Sequence, residues 1–513
     1  METFNHLFQG FAVAGTPTNL MIALAGCFLG TVIGLLPGLG PINGVAILLP
    51  IAFAMNLPPE SALILLCAVY AGCEYGGRIS AILINVPGDA GAVMTTMDGF
   101  PMARKGLAGP ALSISAWSSF VGSMLATIGI VFFAPILSEW AIAFGPAEYF
   151  ALMVLALSCL GGLVGDSLPK AAVACLLGLL MSCVGIDSNS GVYRFTFDIL
   201  HLSDGIPFVV IVIGLFAVSE LMLMLESHQA GAKPIALTGR MMFNFREWRL
   251  QNWATFRSSV VGFFIGVLPG AGATVASAMT YSMERRMAGK DHCFGDGDVR
   301  GVAAPEAANN ASAYGSLIPM LTLGVPGSGT TAVMIGALTL YNINPGPTLF
   351  QDQPLIVWGL IASLFIANIM LLVMNIPMIR LFVKFLDMPN WLLVPLVAAV
   401  SLVGVYSVHS TSFDLVFGVL LGGIGYLLRV MNFPISPLIL GFVLGDMMEQ
   451  NLRRALSISN GELSVLFASP ISIVLWVGAA AMLIGPRVFR ALEERKLRNL
   501  GLLAAEDAHV EAG

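Results

Sequence analysis

Apolar residues run along this chain in long blocks, and the polar residues gather between them. Stretches such as 109–137 and 355–379 carry one or no formal charge. Each exceeds the roughly 20 residues a helix needs to cross a bilayer core. The blocks predict plain membrane helices over 109–137, 146–164, 168–185 and 205–227, then over 355–380, 390–406, 412–428 and 434–450, with an extra helix at 466–486. Ahead of each set of four lie two apolar segments interrupted by Pro-Gly. Segments 19–57 and 259–284 each read as a hairpin, re-entrant or helical, and the next segment in each half as a broken helix.

The interruptions repeat. Gly34-Leu-Leu-Pro-Gly-Leu-Gly-Pro41 recurs as Gly266-Val-Leu-Pro-Gly-Ala-Gly-Ala273. Asn85-Val-Pro-Gly-Asp89 recurs as Gly324-Val-Pro-Gly-Ser328, with Tyr75-Gly76 and Tyr314-Gly315 ahead of each. Two breaks in the same order, inside apolar sequence, predict a duplicated unit. The expected organisation is a first repeat over 1–228, a basic cytoplasmic linker over 229–258, a second repeat over 259–464, and an extra helix with a cytoplasmic tail over 465–513.

Basic residues orient the repeats. Lys233, Arg240, Arg246, Arg249 and Arg257 precede segment 259–284; Arg285, Arg286, Lys290 and Arg300 follow it. Arms of about 10 to 15 residues are too short to cross, so this hairpin should open to the cytoplasm. No basic residue lies between Met1 and Arg78, so segment 19–57 should open to the other side, although its longer arms also allow two full crossings. Alternating the remaining segments leaves Arg194, Arg453 and Arg454 outside and Arg78 within the membrane, with the other Lys and Arg residues cytoplasmic. The repeats are then inverted, as in secondary transporters with helices broken at mid-membrane.

Composition agrees. Of 513 residues, 57% are apolar and 11% charged, against about 25% charged in soluble domains, and mean hydropathy is +0.86. An all-α polytopic membrane protein follows, and a soluble enzyme, a disordered chain and an outer-membrane barrel are excluded. The seven cysteines form no Cys-x-x-Cys, the six histidines form no metal-ligand pair, and no phosphate-binding Gly-x-x-x-x-Gly-Lys occurs. Residues Met1 to Gly10 lack the basic start of a cleaved signal peptide.

The breaks carry the candidate chemistry. A half-helix that starts at such a break presents bare N–H groups with a partial positive charge, which suits a carboxylate. Four starts are expected: Gly40 to Asn43, Gly88 to Gly91, Gly272 to Thr274, and Gly327 with Ser328, Thr330 and Thr331. A single Pro-Gly reads as an ordinary kink between packed helices; four in twofold order read as an anion site. Glu74 and Arg78 are ionisable groups at membrane depth, hence functional suspects. Their spacing suits an intrahelical ion pair, or Arg78 meets a substrate carboxylate with Glu74 holding it. Asp89 reads as a helix cap or as part of a coupling-ion site with Asn85, Asn309 and Asn310, whose neutral oxygens suit sodium. Glu306 reads as a cap, and Asp98-Gly99 as a turn. A membrane-embedded enzyme and a channel-like subunit are the alternatives; no nucleophile or metal-site motif favours the first.

At these residues the sequence resembles the TctA family, the large membrane subunit of tripartite tricarboxylate transporters. The resemblance runs through LLPGLGP (35–41), YGGRISAILINVPGD (75–89), MDGFPMAR (97–104), PEAANNA (305–311) and LIPMLTLGVPGSGTTA (317–332). It implies a cation-coupled importer of an organic carboxylate in a bacterial inner membrane, driven by sodium or protons and needing no other cofactor. It also implies a periplasmic solute-binding protein and a small membrane subunit as partners. Nucleic acid is not a partner, and a homo-oligomer is compatible with the chain. Hairpins and broken helices, 19–98 and 259–340, would move as a unit against a scaffold of plain spans, 109–227 and 355–450, as in an elevator; rocking of the two halves would use the same sequence features.

Overall fold

The computed structural model describes residues 2–163, 167–187, 189–226, 234–237, 239–269, 272–289, 292–386 and 388–499. These residues are almost entirely helical; a two-stranded antiparallel ribbon pairs Gly185–Ile186 with Tyr193–Arg194. Among the described residues six helices are long and apolar enough to cross a membrane: Pro17–Leu35, Pro59–Ile84, Ala90–Ala141, Phe208–Glu226, Pro354–Asn375 and Ser412–Val430. The pair Ile379–Leu386 and Trp391–Ser407, bent by 96°, would make a seventh span.

Each Pro-Gly segment is broken where the sequence places the break. The first hairpin joins Pro17–Leu35 to Gly40–Ala54, and the second joins Phe245–Val267 to Gly272–Met287. Both turns carry glycines at positive φ, Gly38 at 85°, Gly40 at 50° and Gly272 at 65°, where a side chain would be strained. The first broken helix runs over Pro59–Ile84 and resumes at Ala90–Ala92 and Val93–Met102. The second runs over Val299–Gly315 and Leu317–Leu323 and resumes at Gly329–Leu340. Asn85 and Gly324, matched in the repeat, both end their half-helix in the left-handed conformation. Asp89 and Ser328, also matched, both cap the next one.

Glycines set the packing. Gly26, Gly30 and Gly34 lay the first arm of the first hairpin, backbone to backbone, against Leu65, Val69 and Cys73 of the first broken helix. Gly262 and Gly266 lay the second hairpin against Ala308 and Ser312 in the same way. Close approach through small residues is how helices associate where lipid removes the hydrophobic drive.

Two features depart from the sequence reading. The second hairpin's first arm begins at Phe245, inside the expected linker 229–258, and has 23 residues. At about 1.5 Å per residue that is roughly 34 Å, so the short-arm argument does not apply to it. Its charges had read as linker; Asn244 and Glu247 instead form a capping box. Arg257 pairs with Glu284 of the other arm through bonds of 2.9 and 2.8 Å. The second departure is in the plain spans. Ala108–Ala141 and Pro354–Asn375 pack into the hairpins and broken helices: Gly122 lies on the backbone of Ala307, and Tyr314 donates to Asn368 at 3.3 Å. Ser118, Ser119 and Ser123 bond Gln251, Glu306 and Asn310 across that seam. The remaining helices stand outside it. Leu168–Ser182 packs on Ile435–Ile458 through Gly178 and Gly441, and Phe208–Glu226 on Ser412–Val430 through Gly214 and Gly422. An N-terminal helix, Glu2–Ala14, lies against Trp358 at Gly10.

Candidate functional site

All four half-helix starts open on one cavity of about 520 Å³. Gly40 and Asn43 line it from the first hairpin, Gly88, Asp89 and Gly91 from the first broken helix, Gly272 and Thr274 from the second hairpin, and Ser328 and Thr330 from the second broken helix. Sequence-distant segments meet here because each break frees backbone groups that must be satisfied away from lipid. Converging N-termini make a positively polarised surface without a formal charge.

The structure assigns the other expected residues to other tasks. Gly327 is not in the lining; a side chain there would stand 2.8 Å from the Ser316 Cβ, so this glycine serves close packing. Gly88 does both, since a Cβ on it would lie 2.5 Å from the Cα of Gly77. Thr331 closes the capping box: its N–H donates to the Ser328 hydroxyl at 3.2 Å, and its own hydroxyl accepts from the Ser328 N–H at 2.8 Å. Asn85 is the exposed helix terminator already described. Asn310 donates to the Glu306 carbonyl at 3.1 Å and accepts from Ser123 at 3.4 Å, away from the cavity lining.

Glu74 and Arg78 form no ion pair among the described residues. Their helical spacing suits one, but each finds a partner on another helix. Glu74 lines the cavity and accepts from the Asn309 amide at 2.9 Å. Arg78 sits behind it, 2% exposed, with its guanidinium 4.3 Å over the Tyr75 ring. It donates to the Ser119 hydroxyl at 3.0 Å, which donates in turn to Glu306 at 3.1 Å. Thr95 also donates to Glu306, at 2.5 Å. Glu306 is therefore no cap: it ties four helices through two hydroxyls. Asp98, expected in a simple turn, is buried, and its carboxylate accepts from three backbone N–H groups of the 295–298 loop and from the Tyr281 hydroxyl.

Three acceptor oxygens around the cavity are buried and have no partner among the described residues: Asn43 Oδ1, Asp89 Oδ1 and Asn309 Oδ1. Asp89 Oδ2 is occupied, accepting from the Gly91 N–H at 3.0 Å. A side chain on Gly91 would run into both Asn309 Oδ1 and Asp89 Oδ2. Since each unmade bond at a buried polar atom costs about 1–3 kcal/mol, each of these lone oxygens calls for a donor or a cation.

One stretch of the lining comes from helices that carry no Pro-Gly break. Phe216, Arg429 and Ser436 close the cavity from the outer helices. Arg429 reads in sequence as one more cytoplasmic arginine. The available signal was Glu220, an acid inside the apolar run 205–227: it forms an ion pair with Arg429.

No solved structure matches the chain. Among curated proteins it is similar to the "Uncharacterized 52.8 kDa protein in TAR-I ttuC' 3'region" of Agrobacterium vitis, 40% identical over 485 residues, 94% of this chain and 96% of the relative. It is also similar to the "Uncharacterized protein in TAR-II ttuC' 3'region" of the same organism, 43% identical over 215 residues, 42% of this chain and 88% of the relative. The family model described as the tripartite tricarboxylate transporter TctA family matches residues 20–440, and the chain belongs to that family.

Proposed function

We propose that this chain is the permease of a binding-protein-dependent secondary transporter that imports an organic carboxylate across a bacterial inner membrane, its C-terminus in the cytoplasm. A periplasmic solute-binding protein would deliver the cargo, and a small membrane subunit would complete the complex. The observation that carries the reading is the convergence of four half-helix starts on one cavity. Backbone N–H groups and the hydroxyls of Thr274, Ser328 and Thr330 would hold one carboxylate of the cargo.

Coupling follows from charge. Glu74 and Asp89 line the same cavity, and two carboxylates beside an incoming anion repel it. A sodium ion or proton bound at Asp89, Glu74 and Asn309 removes that repulsion, and the unpartnered oxygens there suit a hard cation. Cargo and cation would then bind together, which is symport.

Movement follows from the walls. One wall is built by the hairpins and broken helices, which carry Ala108–Ala141 and Pro354–Asn375 with them by packing. The other is built by Phe208–Glu226, Ser412–Val430 and Ile435–Ile458. In this reading the first group, which holds the hairpin and broken helix of each inverted repeat, slides against the second as an elevator. The test is cysteine protection. A thiol introduced by Ala90→Cys or Ala273→Cys, both in the cavity lining, should react with an anionic methanethiosulfonate, block uptake, and be shielded by carboxylate cargo only when the coupling cation is present. Shielding that ignores the cation would refute the coupling, and reaction without loss of uptake would refute the site.

A further inference from the structure

We infer that Arg429 is the specificity-determining cation of this cavity: it reads a second acidic group of the cargo, from the outer helices that share the lining with the helix starts. The inference rests on the anion-site reading above and adds a residue and a discrimination to it.

Arg429 is the one basic side chain among the described residues that line the cavity. It stands in the last turn of Ser412–Val430, with its guanidinium 5.9 Å over the Phe216 ring. One terminal nitrogen donates to Glu220. Its Nε is buried and has no partner among the described residues. A guanidinium offers five N–H donors in a rigid fork, so the pair with Glu220 fixes its plane and leaves the Nε edge for another acceptor. That edge has the geometry for bidentate pairing with a carboxylate. Glu220 is the positioning residue. It is 7% exposed, and its Oε1 lies against Gly38 at the first hairpin tip, so the acid that orients Arg429 also touches that hairpin.

The two walls therefore offer different anion holders. The helix starts bind through partial charges and suit any carboxylate. Arg429 offers a full charge and rewards only a cargo long enough and acidic enough to reach it. A cargo with two acidic groups spans both walls; a monocarboxylate occupies the helix starts alone.

The experiment uses the whole chain, with Cys175, Cys183 and Cys293 replaced by Ser and a reporter thiol introduced by Ala90→Cys, at the cavity lining. The rate of modification by an anionic methanethiosulfonate is measured in the coupling cation with butyrate, succinate or citrate as protectant. Arg429→Gln should weaken protection by succinate and citrate about tenfold or more, with butyrate unchanged. The double variant Glu220→Gln, Arg429→Gln leaves no uncompensated buried acid and should show the same selective loss, which separates recognition from misfolding. Arg429→Lys should recover only part of it. Equal effects on mono- and dicarboxylates, or none, would overturn the role of Arg429 while leaving the anion site standing. Failure of every acid to protect the thiol before Arg429 is changed would overturn both.

Discussion

Replacing Asp98 should loosen the joint between the two broken helices. Its Oδ1 accepts from the N–H groups of Gly295, Gly297 and Asp298 at 2.9, 2.8 and 2.7 Å, and its Oδ2 from the Tyr281 hydroxyl at 2.9 Å. A hydrogen bond to a charged group contributes about 1.5–3 kcal/mol net. Four such bonds on one carboxylate do not add, and water can reach exposed Gly295 once the acid is gone. A total of about 3–5 kcal/mol for Asp98→Ala is the reasonable scale. Asp98→Asn keeps an acceptor for the three N–H groups and should cost only about 1–2 kcal/mol. The reporter is hydrogen exchange at the 295–298 amides, which measures local opening without requiring reversible unfolding. Since about 1.4 kcal/mol is a factor of ten, Asp98→Ala should speed exchange there by at least about a hundredfold and Asp98→Asn by about tenfold. Tyr281→Phe should fall at or below the Asn variant. Unchanged exchange at these amides in the Ala variant would refute the joint.

Other outcomes follow from the same geometry. Gly30→Val should disrupt assembly, because an added Cβ would stand 2.9 Å from the Val69 Cα; overpacking of this kind costs about 1–3 kcal/mol or more, read as lost monodisperse protein after extraction. Arg257→Gln leaves Glu284, whose side chain is 2% exposed, without its cation, and should destabilise the second hairpin more than the paired change Arg257→Gln, Glu284→Gln does, measured by proteolysis rates. The Asp298 carboxyl caps the second broken helix. Burial pushes it up, but its bonds to the Arg300 side chain and N–H more than offset this and hold it below the usual carboxylate value. A depressed group stabilises above its unfolded pKa, about 3.9 for Asp, and that stability is lost as pH falls through the folded value. Protection of the 299–301 amides relative to the unfolded chain should therefore hold at neutral pH and fall only in strong acid, and Asp298→Asn should remove that acid step.

The helix breaks were legible because Pro-Gly inside apolar sequence has few structural meanings, and their repetition removed most of those. Gly40, Gly88, Gly272 and Ser328 could be named from that pattern alone. Arg78 drew attention as a charge at membrane depth, yet its place behind the cavity depends on Ser119 and Glu306, which lie far away in sequence. Arg429 escaped because an arginine at the end of an apolar span reads as a topology signal. Only its contact with Glu220 reveals its orientation. The start of the second hairpin at Phe245 was hidden because Arg246 and Arg249 look like linker charge, while a capping box at Asn244 and Glu247 starts a helix there. Division of the plain spans between the two walls rests on glycine and serine contacts such as Gly122 on Ala307, which hydropathy does not encode.

Gradient-driven uptake tests the central claim most directly. Proteoliposomes holding this chain with its small subunit, and supplied with the binding protein and its radiolabelled carboxylate, should concentrate the cargo above its outside level when an inward sodium or proton gradient is imposed. Dissipating that gradient should abolish the accumulation, and Thr330→Val, at a cavity wall, should reduce it with the complex intact. Cargo that only equilibrates, at the same rate with or without either gradient, would contradict the account.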